Sequence, residues 1–125
     1  MTDTSSPLAL IVEDDEKLAE IFTQAMQLAG FNTQSVSDGN AALDTLNQSQ
    51  PAVLVLDLHL PGVSGDKILQ FVRGDERLKS IQVIVATADA TMADSLQELS
   101  DLVLIKPITF TQLRTLAARL RKGMN

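Results

Sequence analysis

The stretch Ala52–Gly65 reads AVLVLDLHLPGVSG and places one carboxylate, Asp57, at the end of an uninterrupted apolar run. Val53–Leu56 show no polar alternation, which is typical of a strand buried on both faces of a parallel sheet. A proline- and glycine-containing turn follows, and a helix is expected to begin near Ser64. Asp57 is therefore expected at the carboxyl end of a central strand, the edge at which open α/β sheets bind ligands. Since an aspartate can also end a strand without a chemical role, the other acids of the chain must decide its function.

Length, composition and charge limit the class of protein. A chain of 125 residues suits one domain with a real core. The absence of cysteine excludes thiol chemistry and thiolate metal sites. Sixteen acidic and ten basic residues give a net charge of −6, which disfavours direct nucleic-acid binding and favours protein partners or cations. With no signal peptide or membrane-length apolar run, we expect a cytoplasmic protein in which residues 1–7 form a disordered segment.

Short apolar runs alternate with segments of helical periodicity along the rest of the chain. The other strands are expected at Leu8–Val12, Phe31–Ser37, Val83–Ala86 and Leu102–Ile105. The first helix is expected to have apolar residues from Leu18 to Leu28, an N-cap at Asp14 or Asp15 and an end at Gly30. The other helices are expected at Asn40–Gln48, Ser64–Gly74, Thr91–Leu99 and Thr109–Lys122, with Thr109 capping the last. This alternation predicts an α/β fold with a doubly wound five-stranded parallel sheet and helices on both faces.

A polar side chain follows or ends four of these strands. The residues are Glu13 and Asp14 after the first strand, Asp57 after the third, Thr87 at the end of the fourth and Lys106 after the fifth. Three carboxylates at one sheet edge would repel one another unless a cation neutralised them, and Mg²⁺ suits such a shallow oxygen-rich edge. Lys106 and Thr87 suit phosphoryl oxygens. The pattern predicts a phosphoryl-transfer site with Asp57 as the nucleophile.

Four motifs resemble the receiver domain of two-component response regulators, the family of the chemotaxis response regulator. They are the acid pair in IVEDD, the strand and turn VLVLDLHLPGVSG, the strand end IVATA and the run LIKP. The resemblance extends from about Leu8 to Lys122. It implies a flavodoxin-like strand order 2-1-3-4-5 and a receiver domain over residues 8–122. Since little sequence follows the last helix, we expect no output domain in this chain.

The resemblance also implies roles for the acids. Asp57 would accept a phosphoryl group from a sensor histidine kinase or a histidine phosphotransfer protein. Asp14 and Asp57 would contact Mg²⁺ directly, Glu13 would act through water, and the backbone carbonyl of His59 would complete the protein ligands. The His59 ring itself is expected to be a solvated loop side chain, because a single imidazole lacks ligand companions.

The remaining implied roles belong to residues that respond when Asp57 is phosphorylated. Lys106 would pair with the acyl phosphate, Thr87 would hydrogen-bond it on activation, and the Lys106–Pro107 peptide bond would be cis. Three positions before the lysine the family usually has an aromatic residue, and this chain has Val103. The helix before strand five is shorter than usual, and Leu99–Asp101 replace the common Gly-Ala pair. We therefore expect activation to cause a local change around Thr87–Ala90 without the usual movement of an aromatic side chain.

The function expected from these residues is a stand-alone, non-enzymatic receiver that signals to a separate downstream protein effector or passes the phosphoryl group onward. The alternatives are a small aspartate-nucleophile phosphatase, a flavin carrier and a receiver-like module that is never phosphorylated. A phosphatase would want an acid two residues after the nucleophile, where this chain has His59. A flavin carrier would want aromatic residues to flank the flavin ring, and the chain has no Trp or Tyr. A module that is never phosphorylated is disfavoured because no core residue of the site is missing. The oligomeric state, a homodimer included, stays open.

Overall fold

The computed structural model describes residues 6–124, in which strands and helices alternate. The strands are β1 (Leu8–Val12), β2 (Asn32–Val36), β3 (Val53–Leu56), β4 (Gln82–Thr87) and β5 (Leu102–Ile105). The helices are α1 (Glu16–Leu28), α2 (Gly39–Gln48), α3 (Gly65–Gly74), α4 (Ala90–Ser95) and α5 (Phe110–Lys122), with a 3₁₀ helix, Gln97–Leu99, after α4. None of the helices in this part of the chain combines the length and apolar composition needed to cross a bilayer.

All strand pairs are parallel, and the order across the sheet is β2-β1-β3-β4-β5. This confirms the expected flavodoxin-like arrangement. β3 lies at the centre, where its four residues are buried and its register pairs Leu54 with Leu10 and with Val83. β2 is an edge strand, which explains its more polar sequence, NTQSV.

The sheet separates two apolar cores, because successive side chains of a strand point to opposite faces. In β3, Leu54 and Leu56 pack in the core that includes side chains of α2 and α3. Val53 and Val55 pack on the other face with side chains of α1 and α5. Both faces of the sheet are therefore covered, as the unalternating apolar runs predict.

Side-chain caps fix where four of the helices begin. Asp15, Asp38, Asp89 and Thr109 each accept a hydrogen bond from the backbone N–H three residues later, at 2.8 to 3.0 Å. Asp15, not Asp14, therefore caps α1, which leaves the Asp14 carboxylate outside that cap. Such bonds satisfy N–H groups that a helix start leaves without intrahelical partners.

The helix expected at Thr91–Leu99 is interrupted. α4 ends at Ser95, Leu96 adopts φ −109° and ψ 8°, and the chain continues as a 3₁₀ helix. The break lets both Leu96 and Leu99 pack against the core that contains β3 residues Leu54 and Leu56. Tertiary packing of two leucines thus overrides a continuous α-helix here.

Asn32 ties the start of the described chain to β2. Its backbone N–H donates to the Pro7 carbonyl at 2.9 Å, and its side-chain amide donates to the Ser6 carbonyl at 3.2 Å. The expected disordered segment, residues 1–7, falls mainly on residues 1–5, which lie outside the described residues.

Candidate functional site

The parallel sheet brings the polar strand ends together at one edge. Glu13 and Asp14 follow β1, Asp57 follows β3, Thr87 ends β4 and Lys106 follows β5. β1, β3, β4 and β5 are consecutive neighbours in the sheet, so their carboxyl ends adjoin. The Lys106 N–H donates to the Thr87 carbonyl at 2.8 Å, which extends the β4–β5 hydrogen bonding one residue beyond the end of β5.

Three carboxylates and one ammonium form the centre of this edge. One carboxylate oxygen from each of Glu13, Asp14 and Asp57 lies within 4.8 Å of the other two. Lys106 Nζ donates to Glu13 Oε1 at 2.6 Å and to Asp57 Oδ2 at 3.3 Å. Glu13 and Asp57 are buried, with 1% and 6% of their surfaces exposed, whereas Asp14 is exposed.

Burial dominates the electrostatics of Glu13. It raises the pKa of the Glu13 carboxyl, although hydrogen bonds from Lys106 and from the Asp15 N–H oppose the increase. For Lys106, burial works against the charged form, but the Glu13 hydrogen bond and the negative charge of Asp57 outweigh it and raise the pKa of the ammonium. Lys106 is therefore charged at neutral pH.

The donor set fits a hard divalent cation. When ionised, three carboxylates beside one ammonium leave two negative charges, the amount that one Mg²⁺ ion neutralises. A groove of about 490 Å³ opens beside Glu13 and Asp14, with Ser35 and Ser37 among its other lining residues. Such an open side leaves room for the several waters that Mg²⁺ keeps when proteins bind it.

The loop after β3 holds Asp57 in place through close backbone contacts. The Asp57 N–H donates to the Val12 carbonyl at 3.1 Å, and the Gly65 N–H donates to the Leu58 carbonyl at 2.9 Å. Gly65 is buried, and a Cβ on it would overlap the Asp57 carbonyl oxygen. Gly62 has φ +77°, a left-handed conformation that favours glycine. These glycines let the turn fold back tightly on the end of β3.

His59 lies in the loop between β3 and α3, where its backbone contacts Asp57 and its ring contacts Asp89. Its backbone N–H donates to Asp57 Oδ1 at 3.3 Å, and its ring Nε2 lies 2.9 Å from Asp89 Oδ2. Side-chain exposures are 65% for His59 and 35% for Asp89. The ring is thus a solvated bridge to the next loop, and a metal role for the His59 carbonyl stays a prediction.

Asp89 is a residue of this region that the sequence analysis missed. It accepts hydrogen bonds both from the Met92 N–H and from His59, which together lower the pKa of its carboxyl. Its own N–H donates to Thr87 Oγ1 at 3.1 Å. Sequence position could have indicated that His59 and Asp89 lie near the site, because each follows a site residue, Asp57 or Thr87, by two positions.

Position 103 lies next to the strand that carries Thr87. Val103 of β5 pairs with Val85 of β4 and packs against the core with a half-buried side chain. Valine thus stands three residues before Lys106, where the resemblance implies an aromatic residue. The Lys106–Pro107 peptide bond is cis, as the resemblance implied.

Comparisons with known proteins agree with this arrangement. A family profile described as "Response regulator receiver domain" matches residues 9–118. The DNA-binding response regulator MtrA of Mycolicibacterium smegmatis is 31% identical over 122 residues, which cover 97% of this chain and 54% of MtrA. The probable methanogenesis regulatory protein FilR2 of Methanothrix harundinacea is 35% identical over 118 residues, covering 86% of this chain and 76% of FilR2. The chain thus spans about half the length of the MtrA relatives it matches.

Solved structures give the same result. The bacteriophytochrome response regulator RtBRR superposes with a TM-score of 0.80 at 32% identity, covering 96% of this chain and 80% of RtBRR. The receiver domain of a putative LuxO repressor from Vibrio parahaemolyticus gives 0.81 at 29% identity, with 94% of each chain covered. Since the strand order, the acidic strand ends and the profile over residues 9–118 agree, this chain belongs to the response regulator receiver domain family.

Proposed function

We propose that this chain is a Mg²⁺-dependent phosphoacceptor that takes a phosphoryl group onto Asp57 from a histidine kinase or a histidine phosphotransfer protein. The observation that carries the proposal is the position of Lys106, whose ammonium bonds both to Asp57 and to Glu13 within the acid cluster. A buried carboxylate that lies beside both a fixed cation and further acids is equipped to receive an anionic group together with a metal ion.

The chemistry follows from the groups around Asp57. A carboxylate oxygen of Asp57 forms a bond to phosphorus while the phosphorus–nitrogen bond of the donor breaks, and that electron pair stays on the histidine nitrogen. Lys106 offsets the negative charge that the phosphoryl oxygens bring. The buried Thr87 hydroxyl, which accepts from the Asp89 N–H, retains a proton that it can donate to those oxygens.

The metal would be held by Glu13, Asp14 and Asp57, with the carbonyl of His59 as the remaining predicted ligand. When bound, Mg²⁺ supplies positive charge that offsets the phosphoryl oxygens during transfer. Glu13 is tied to Lys106 and to the Asp15 N–H, which is consistent with the predicted contact through water rather than direct ligation.

The signalling role belongs to the same proposal. The product is an acyl phosphate that changes the affinity of a separate protein or is passed onward, without turnover of a substrate by this chain. The net charge of −6 favours a protein partner over nucleic acid. The expectation that the chain acts alone in the cytoplasm, without an output domain, stays a prediction, since MtrA is about twice as long.

Incubation with phosphoramidate and Mg²⁺, followed by intact-mass measurement, tests the proposal. We expect one phosphoryl group per chain, no labelling of Asp57→Asn, and normal labelling of Asp44→Asn, which alters an exposed carboxylate on α2. Chelation of the metal should abolish labelling. Label that persists in Asp57→Asn would contradict the proposed acceptor, and phosphate release over many turnovers would favour the phosphatase alternative.

A further inference from the structure

The two loops that carry the phosphorylation chemistry are joined above the site by one side-chain contact. His59 Nε2 lies 2.9 Å from Asp89 Oδ2, which links the loop after β3 to the loop after β4. Each of these residues also contacts the functional side chain two positions earlier. The His59 N–H donates to Asp57 Oδ1 at 3.3 Å, and the Asp89 N–H donates to Thr87 Oγ1 at 3.1 Å.

Asp89 has a second task, because it is the N-cap of α4. Its Oδ1 accepts from the Met92 N–H at 2.9 Å while its Oδ2 faces His59. α4 has six residues, of which only Ala93 is buried. A helix this short is marginal by itself, so the cap contributes much of what holds its first turn. One carboxylate therefore connects the site to the helix.

A phosphoryl group on Asp57 disturbs both backbone contacts. It occupies one carboxylate oxygen and adds bulk beside the His59 N–H, and it offers the Thr87 hydroxyl a new acceptor. Movement of Thr87 toward that acceptor draws its oxygen away from the Asp89 N–H. The His59–Asp89 contact is solvent-exposed and hence weak, which suits a contact that opens when either loop moves.

We propose that the His59–Asp89 bridge transmits the phosphorylation state of Asp57 to the start of α4. This inference rests on the proposed function and adds its readout. Without phosphate the bridge holds both loops and fixes Asp89 as the cap. With phosphate it opens, Asp89 reorients, and the first turn of α4 loosens. The bridge thereby supplies a path to the surface that does not require an aromatic side chain at Val103.

Asp89→Ser isolates the bridge from the cap. Serine is a good N-cap residue but is too short to reach His59 from position 89. Beryllofluoride with Mg²⁺ serves as the phosphoryl mimic, and fluorine NMR measures its occupancy. Hydrogen exchange of peptides covering residues 88–96 measures the response of α4 in the same samples. His59→Ala removes the bridge from its exposed side and does not threaten the core.

We expect the mimic to speed exchange over residues 88–96 in the parent protein. At equal occupancy, this mimic-induced increase in exchange should be at least twofold smaller in Asp89→Ser. In the His59→Ala/Asp89→Ser double variant the increase should be no smaller than in Asp89→Ser alone, because both changes remove the same contact. Glu76→Ala is the matched control, because it breaks another exposed ion pair, Glu76–Lys79 at 2.7 Å, outside the site. That variant should respond like the parent.

Two outcomes separate the bridge from the proposed function. Normal occupancy with an undiminished exchange response in Asp89→Ser would overturn the bridge and leave Asp57 as acceptor. Failure of the mimic to bind the parent protein would overturn the proposed function and the bridge with it.

Discussion

Gly65 shows how one residue without a side chain positions Asp57, the proposed phosphoacceptor. It begins α3 directly beneath the end of β3, where an added Cβ would overlap the Asp57 carbonyl oxygen and crowd Leu58 Cα. Both obstacles are backbone atoms, so no rotation of a side chain can relieve the overlap. Either α3 or the Asp57 backbone must then move.

We therefore expect Gly65→Ala to lower the free energy of unfolding by about 1–3 kcal/mol, the usual range for overpacking. Because the displaced group is Asp57, phosphoramidate labelling should also slow. Gly74→Ala is the control at the other end of α3, where an added Cβ meets no atom within 4 Å. It should leave labelling unchanged and stabilise by up to about 1 kcal/mol. Urea denaturation measures both, and equal effects of the two changes would contradict this account.

The residues of the candidate site differ in how well sequence reveals them. Asp57 and Lys106 are visible because each directly follows an apolar strand, and strand ends of a parallel sheet share an edge. The partnership of Lys106 with Glu13 could not be predicted, since a distance of 2.6 Å depends on side-chain packing. The His59–Asp89 bridge was missed for a similar reason: two loops meet, and neither has a periodicity that positions its side chains.

At the scale of elements, Arg73 joins the end of α3 to the segment before β5. Its Nη1 donates to the carbonyls of Lys79 and Ile81 at 2.9 and 2.7 Å. Its Nε donates to the Leu99 carbonyl at 2.8 Å, and its Nη2 pairs with Asp101 Oδ2 at 2.8 Å. The guanidinium thus satisfies backbone acceptors in two loops at once, a task suited to its fixed fork of donors.

Arg73→Ala should lower the free energy of unfolding by about 2–4 kcal/mol, because several carbonyls and one carboxylate lose a charged donor. Arg73→Lys should recover less than half of the loss, since one ammonium cannot replace donors that point in different directions. The exposed Arg114 of α5 provides the control, and Arg114→Ala should change stability by less than about 0.5 kcal/mol. Urea denaturation measures all three, and full recovery with lysine would show that charge alone suffices.

The same contacts explain why α4 differs from the sequence expectation. Leu99 and Asp101 are fixed by Arg73, and Asp101 also accepts from the Val83 N–H at 2.7 Å. The chain must bring Leu99 and Asp101 to these hydrogen-bond partners and also bury Leu96. α4 therefore ends at Ser95, and a 3₁₀ helix follows. Periodicity in Thr91–Leu99 indicates helix but holds no information about an arginine on α3. Where long-range hydrogen bonds of this kind determine the end of a helix, that end is difficult to predict from sequence.

At the scale of the whole molecule, the fold separates stability from chemistry. The strand interiors supply apolar side chains to two cores, whereas the carboxyl ends collect Glu13, Asp14, Asp57 and Lys106 at one edge. This division made the fold class predictable, because buried parallel strands are uniformly apolar and their ends are not. It also leaves an excess of negative charge at the edge, which opposes the metal-free folded state.

Mg²⁺ bound at the acid cluster should therefore stabilise the entire domain, and the stabilisation should grow with the logarithm of the Mg²⁺ concentration above the dissociation constant. At a free concentration ten times the dissociation constant, binding to the folded state adds about 1.4 kcal/mol, or about 5 °C in melting temperature for a domain of this size. Asp14→Asn should lose most of that increase. Without metal, the same variant should melt no lower than the parent protein, because one of three mutually repelling carboxylates has gone.

Calorimetric scans at matched ionic strength, with Na⁺ replacing Mg²⁺, separate binding from general charge screening. Asp44→Asn removes an exposed charge outside the cluster and should keep the full increase. If Mg²⁺ raised the melting temperature of Asp14→Asn as much as that of the parent protein, the ion would bind away from this edge. An equal increase with Na⁺ would show that screening, rather than a bound ion, relieves the repulsion among Glu13, Asp14 and Asp57.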